Sequence, residues 1–257
     1  MNQKNNPDCA SAPIVGITYD RAMDSNLEQS HMHERAQLLY CQAGCYQAEV
    51  DKRFFLTPPT HALWIPPHTR HRAYSTKPVQ YRSLYIDPQH FKSIPDDIRI
   101  LQVSTLLKSL IQKACQFPWD YPQASAEYRI STVIIDEINQ APTQHYHLPL
   151  SDSAILHKVR DYILEQLGEK LNSQQIANHH GISGKTLNRL CQQQIGMTFD
   201  QWRQRIKLLH AIQLLCQGAS TTTVAQALGY SNDSAFIYRF KQLTGKTPTE
   251  FIRSNTS

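Results

Sequence analysis

Glycine is scarce in this chain, nine residues of 257, and the 14 prolines fall into no period. Collagen-like and mucin-like stalks are therefore excluded. Charge is thin as well, at 18% of residues, without an acidic tract; an apolar content of 40% argues against disorder of the whole chain. No apolar run exceeds five residues, far short of the ~20 that a membrane-spanning helix needs. Residues 1–11 are polar and Asp20 and Arg21 follow soon after, so no secretory signal is expected. Six cysteines are too few to staple a scaffold of this length. Reduced thiols in a cytoplasmic protein are expected, with Cys191 and Cys216 as small core residues. No nucleophile elbow, Gly-rich phosphate loop or His-Glu-x-x-His motif occurs, so no catalytic residue is assigned.

What is present is unevenly placed. Residues 1–140 hold 14 Lys/Arg and 14 Asp/Glu, whereas residues 141–257 hold 12 and 7, which is the whole net charge of +5. A neutral half joined to a basic one points to a polyanionic partner for the latter. The segment from Ala141 to Leu150 has two prolines and no sustained period, and reads as a linker. The division expected is therefore a sensor-like domain over 14–140, a linker over 141–150 and a helical domain over 151–253.

From Ile14 to about Tyr85 the chain runs in short stretches rich in Val, Ile, Tyr, Trp and Phe, such as 31–40, 45–50, 54–56, 61–65 and 81–86. Pro58-Pro59 and Pro66-Pro67 punctuate them as turns do. An antiparallel barrel or sandwich follows. Two helical patterns come next. Leu101, Leu106, Leu107, Leu110, Ile111 and Ala114 form one; Ile130, Val133, Ile134, Glu137 and Ile138 form the other. They either carry a dimer interface or fold back on their own barrel. His31 and His33 would leave one face of a strand, with Gln37 sharing their parity, and His71 follows the Pro-rich turn. Converging imidazoles suit Zn, Ni or Fe; the alternatives are a pocket for an organic ligand or simple packing. Cys41 and Cys45, four apart, are either a redox or metal pair or two inert thiols.

The second half is helical throughout. A stripe of Ile155, Leu156, Val159, Ile163 and Leu167 stops at Gly168. Two short helix pairs follow, each joined by a turn containing glycine. In the first, Ser173 caps 174–179, Gly181 turns and a helix runs over 183–194. In the second, Thr222 or Thr223 caps 224–228, Gly229 turns and a helix runs over 233–243. Ile176-Ala177-x-x-x-Gly181 parallels Val224-Ala225-x-x-x-Gly229, the pattern of two helix-turn-helix units. Residues 199–215 form one long amphipathic helix between them. The second helix of each unit carries groups suited to DNA: Gly184, Lys185, Asn188 and Arg189, then Asn232, Asp233, Ala235, Tyr238 and Arg239.

These residues carry a resemblance. His31-x-His33, Gln37, Gly44, Pro66 and His71 resemble the metal-binding motifs of the cupin superfamily, with Gln37 in place of a Glu ligand and His68 in place of the turn glycine. Residues 176–215 and 224–251 resemble the DNA-binding domain of AraC-type transcription regulators. Leu228-Gly229-Tyr230, Ser234-Ala235-Phe236, Phe240-Lys241, Gly245 and Thr247-Pro248 make up its signature. The resemblance implies an N-terminal all-β cupin or jelly-roll barrel with trailing helices and a C-terminal all-α domain with two helix-turn-helix units. It implies base contacts by Lys185, Asn188, Arg189, Asp233, Tyr238 and Arg239, with Asn232 at the same helix start, and phosphate contacts by Thr186, Ser234 and Lys241. Partners would be double-stranded promoter DNA, RNA polymerase, a small-molecule effector and a second copy of the chain, and no membrane. The competing reading is a metal-dependent cupin enzyme such as a dioxygenase.

Overall fold

The structure, a computed structural model, describes residues 6–21, 29–75, 77–144 and 147–253. By its contacts the chain divides into two units, one holding residues 1–51 and 57–145, the other 52–56 and 146–256.

The first unit is built on antiparallel sheet. Its strands are β1 (Ile14–Arg21), β2 (Ala36–Ala43), β3 (Tyr46–Val50), the end of β4 (Arg53–Thr57), β5 (His61–Ile65), β6 (His71–Tyr74), β7 (Val79–Ile86) and β8 (Arg99–Gln102). After the helices α1 (Thr105–Ala114) and α2 (Ala126–Gln140) comes a two-residue strand, β9 (Thr143–Gln144). One sheet runs in the order β1-β7-β2-β5-β8-β9, and β3 and β6 pair in a second. β2 lies between β7 and β5 and is buried on both faces along its first six residues. That explains why Ala36–Cys41 reads as an almost continuous apolar run and not as an alternation.

Both trailing helices fold back on this sheet. Leu107, Ile111 and Ala114 of α1 and Ile134, Ile135 and Ile138 of α2 share a core with Leu38, Tyr40, Trp64, Leu84, Ile86 and Leu101. Leu101 therefore belongs to β8 and does not open the first helix; Ser104 caps α1 instead, its hydroxyl accepting from Leu107 N–H. The contact of α1 with β1 is so close that Gly16 has no room for a side chain. An added Cβ would lie 2.4 Å from Cys115 Cα and 3.0 Å from Ala114 O, both backbone atoms. Gly16→Ala is expected to lower stability by about 2–3 kcal/mol, read from the urea midpoint of the N-terminal unit's transition.

In the second unit Arg53 and Phe54 of β4 pair with Pro149 and Leu148 of β10 (Leu148–Pro149). Among the described residues seven α-helices follow: α3 (Ala154–Glu165), α4 (Ser173–His179), α5 (Gly184–Ile195), α6 (Phe199–Cys216), α7 (Thr221–Ala227), α8 (Asp233–Thr244) and α9 (Pro248–Arg253). The two helix-turn-helix pairs are α4–α5 and α7–α8. Their first helices start one and three residues earlier than the apolar pattern suggests. Asn172 caps α4 through a capping box with Gln175, and Ser220 caps α7, in place of Ser173 and Thr222 or Thr223. Apolar period cannot choose between adjacent cap-competent residues; the reciprocal bonds of Asn172 and Gln175 decide the matter. Phe199, Trp202, Ile206, Leu209 and Ile212 of α6 are buried along one stripe. The α8–α9 side is packed by Phe236, Phe240 and Phe251, with ring centroids 5.6 and 5.3 Å apart.

None of the six cysteines is in a disulfide. Burial pushes the Cys41 thiol up to about 12 and those of Cys115 and Cys191 to about 11, so they stay protonated and unreactive at neutral pH. Among the described residues no helix is long and apolar enough to cross a membrane.

Candidate functional site

Two sites emerge, one in each unit. The first is where His31, His33 and His71 converge, each offering a ring nitrogen within 4.8 Å of the others. The single strand expected over residues 31–40 does not form. The strand begins at Ala36, and residues 34 and 35 before it form a bend. What brings the rings together is an isolated antiparallel bridge in which His31 and His71 exchange both backbone hydrogen bonds at 2.9 Å. His68 N–H then donates to His33 O at 2.9 Å and docks the Pro-rich turn onto the same loop. His68 takes φ +56, the left-handed conformation that glycine accepts more cheaply. His68→Gly is expected to raise thermal stability by up to ~1 kcal/mol without touching the cluster, which a melting curve with and without added Zn would check.

The imidazoles are oriented alike. The Nδ1–H groups of His31, His33 and His71 donate to the carbonyls of Gln29, Arg35 and Thr69, each two residues away. A carbonyl only accepts, so the proton sits on Nδ1 and each Nε2 keeps its lone pair, the arrangement found behind metal-ligating histidines. His71 is 2% exposed, and its Nε2 is buried with no hydrogen-bond partner. Burial drives its pKa down to about 3 and lowers that of His33, so both are neutral at physiological pH. Gln37 is also buried. Its amide N–H groups donate to Ser83 Oγ at 2.9 Å and Tyr81 OH at 3.3 Å, and its Oε1 faces His33 Nε2 at 3.1 Å. Two lone pairs therefore face each other beside the cluster. A cation held by the imidazoles relieves that repulsion; so does a half-turn of the amide, with the two hydroxyls then donating to its oxygen. The donor set fits a borderline divalent ion such as Zn, Ni or Fe, held by His31, His33 and His71. Tyr85, which the sequence did not single out, walls the site with its ring 5.1 Å from His33.

The second site is the pair α5 and α8. Both start on side-chain caps: Ser183 Oγ accepts from Thr186 N–H at 3.1 Å and Asn232 Oδ1 from Ala235 N–H at 2.9 Å. Lys185, Asn188 and Arg189 are exposed on α5, as are Ser234, Tyr238 and Lys241 on α8, with Tyr238 exposed to 66%. Several of the residues expected to face DNA also serve the fold. Asn188 Oδ1 accepts from Phe199 N–H at 3.0 Å, closing the start of α6. The Thr186 hydroxyl lies 2.9 Å from Ser183 Oγ, and Asp233 accepts from the Thr222 hydroxyl. Arg239 donates to Gln242 Oε1 at 3.1 Å and approaches Gln204 at 3.5 Å; Gln242 in turn donates to Tyr238 OH at 2.7 Å. Gln242 thus links two residues of the reading face. Its place one turn after Tyr238 was the only sequence signal for this role.

Residues 14–127 match the family profile of the AraC-like ligand binding domain, and residues 176–254 that of a helix-turn-helix domain. The chain is 28% identical over 251 residues to the HTH-type transcriptional regulator NimR of Escherichia coli K12, covering 98% of this chain and 92% of that protein. With the arabinose operon regulatory protein of the same organism it shares 25% identity over 194 residues, 73% of this chain and 62% of that one. Among solved structures it is similar to ToxT of Vibrio cholerae O395 across 95% of this chain and 99% of that one, with 11% identity and a TM-score of 0.40.

Proposed function

The chain belongs to the AraC-type transcription regulators, and on that premise we propose that its N-terminal domain senses a divalent metal ion at His31, His33 and His71 and thereby alters how α5 and α8 read promoter DNA. It is a DNA-binding regulator with an N-terminal ligand-binding domain, not an enzyme. The dioxygenase alternative is not supported, since the relatives named above are regulators. The observation that carries the metal reading is the convergence of the three rings: each offers a ring nitrogen within 4.8 Å of the others, while the Nδ1 atoms contact carbonyls, which only accept and so leave Nε2 as the donor atom for an ion. Such an ion would supply a fixed positive charge that draws the 31–35 loop and the 66–71 turn together. Gln37 then stands beside it as a neutral neighbour and leaves a ligand position open. Binding to the promoter shifts only as far as the ion favours one state of the protein over another.

In the reading domain, 151–253, we assign base contacts to Lys185, Arg189, Tyr238 and Arg239, with Asn188, Asn232 and Asp233 beside them, and phosphate contacts to Thr186, Ser234 and Lys241. We assign the sensor domain to 14–140 and the linker to 141–150, with β9 tying the start of that linker to the first unit's sheet. The protein works in the cytoplasm on double-stranded DNA, as a homodimer that meets RNA polymerase at the promoter. We assign the docking surface for a second copy to α1 and α2, where Leu106 and Val133 are 51% and 42% exposed.

Footprinting of the protein on its own upstream region at fixed salt, with and without Zn or Ni, tests the whole reading. A protected site whose affinity moves with metal is expected; a site indifferent to every metal would remove the ion from the mechanism. The two neighbouring residues of α5 separate by readout. Arg189→Ala is expected to weaken specific binding by about 1–3 kcal/mol and non-specific binding little. Asn188→Ala is expected to cost ~1 kcal/mol of stability, because it removes the acceptor of Phe199 N–H. Parallel binding and melting experiments on both variants check the pair.

A further inference from the structure

Lys207 lies midway along α6, among the buried residues Ile206, Leu208 and Leu209. Its ammonium donates to Leu167 O at 3.0 Å and to Leu228 O at 2.8 Å. Those two carbonyls come from opposite halves of the reading domain. Leu167 follows the end of α3, which leads into the α4–α5 pair, and Leu228 is the C-cap of α7 in the α7–α8 pair. Carbonyls at helix ends have no partner within the helix and attract a cation, so one charge satisfies both. The backbones meet beside it: a Cβ added at Gly229 would come within 2.4 Å of Gly168 O. Arg203, one turn earlier on α6, donates to Leu171 O.

We infer that Lys207 is a positioning residue for DNA recognition: it locks the two helix-turn-helix halves together so that α5 and α8 read two subsites at one fixed spacing. The inference rests on the assignment of α5 and α8 as the reading helices. A single connecting helix sets the distance between two bodies along its axis but does not stop either from turning about it. Each half also packs on α6 through its own apolar face, and such faces slide more readily than directed hydrogen bonds. The joint at Lys207, Gly168 and Gly229 ties one half directly to the other and removes that rotation. DNA exposes the restriction, because each added base pair moves a subsite by ~3.4 Å and turns it about the duplex axis.

The test is selection of binding sites from a random duplex pool by the full-length wild type, Lys207→Met and Lys207→Arg, followed by titration on duplexes with the subsites moved one base pair closer or further. The wild type is expected to select a two-part motif at one spacing and to lose about tenfold or more in affinity per base pair of displacement. Lys207→Met should keep both half-motifs but spread over neighbouring spacings, with the penalty reduced to about threefold or less. Lys207→Arg should retain the wild-type preference, since a guanidinium also donates to two carbonyls. Uniformly weaker binding by Lys207→Met at an unchanged spacing would make Lys207 a stability staple and overturn the inference. A wild type that selects no two-part motif would remove the reading beneath it. If Lys207→Met does not fold, spin labels at Gln193 and Leu243 of otherwise wild-type protein decide the matter. One narrow distance without DNA supports the joint, and a broad distribution overturns it.

Discussion

Metal binding is expected to fall below detection when His71 becomes alanine. Of the three imidazoles His71 is the most buried, and its Nε2 has no other partner, so neither solvent nor a neighbouring side chain stands ready to replace it. Loss of an outer partner alone typically costs a metal site roughly 10–100-fold in affinity, and loss of a ligand costs more. Titration of the full chain with Zn or Ni, followed by calorimetry, reads the effect. His68→Ala is the matched control, because His68 is exposed on the same turn and outside the cluster. Equal affinity in His71→Ala and wild type would show that the imidazoles only pack. Gln37→Glu extends the argument in the opposite direction. It places a carboxylate among buried groups, so the metal-free protein should melt lower, while the ion should bind more tightly and restore the difference. A melting shift on adding Zn that is larger in Gln37→Glu than in wild type is therefore the expected sign.

The second large effect is at Gly229, and its force comes from comparison with Gly181. Both glycines turn a helix-turn-helix pair, and both hold left-handed backbone, at φ +72 and +70. Alanine at either position meets the cost of that conformation, about 1–2 kcal/mol. Around Gly181 nothing lies within 4 Å of the added carbon, so the cost ends there. At Gly229 the carbon would meet three backbone atoms of Gly168, the nearest at 2.4 Å. Backbone on both sides cannot give way as a side-chain tip does. Gly229→Ala is expected to lose about 2–5 kcal/mol in all, enough to unfold the reading domain or part its halves. Chemical denaturation of both variants gives the ranking, and DNA binding should survive in Gly181→Ala while it fails in Gly229→Ala. Equal losses in the two would mean that the Gly168–Gly229 approach relaxes at little cost.

Much of this molecule was legible from residues close together in sequence. The repeated Ile-Ala-x-x-x-Gly and Val-Ala-x-x-x-Gly spacings place α4–α5 and α7–α8, and the amphipathic stripe of α6 appears within a residue of its observed span. Helical period and turn glycines are local properties, set by backbone geometry over a few residues, so a sequence expresses them directly. Several site assignments were local in the same way. Lys185, Arg189 and Tyr238 are exposed on the second helices where the pattern puts them.

Tertiary structure decided the rest. His31 and His33 meet His71 through a two-residue bridge and a bend, not through the parity of one strand. Leu101 reads as helical by its spacing from Leu106 and Leu107, yet pairs with Ala62 in the sheet because burial between β5 and β9 outweighs the local pattern. Gly181 and Gly229 are equivalent as residues and become unequal only when another segment of backbone arrives against one of them. Lys207 reads as one more charge on an amphipathic helix until Leu167 and Leu228 are brought to it from 40 and 21 residues away. The sequence by itself determined most of the helices of the second unit and the glycine turns between them, because those choices rest on interactions over a few residues. Which of them meet was decided by packing, where a contact depends on every element that holds its two ends in place.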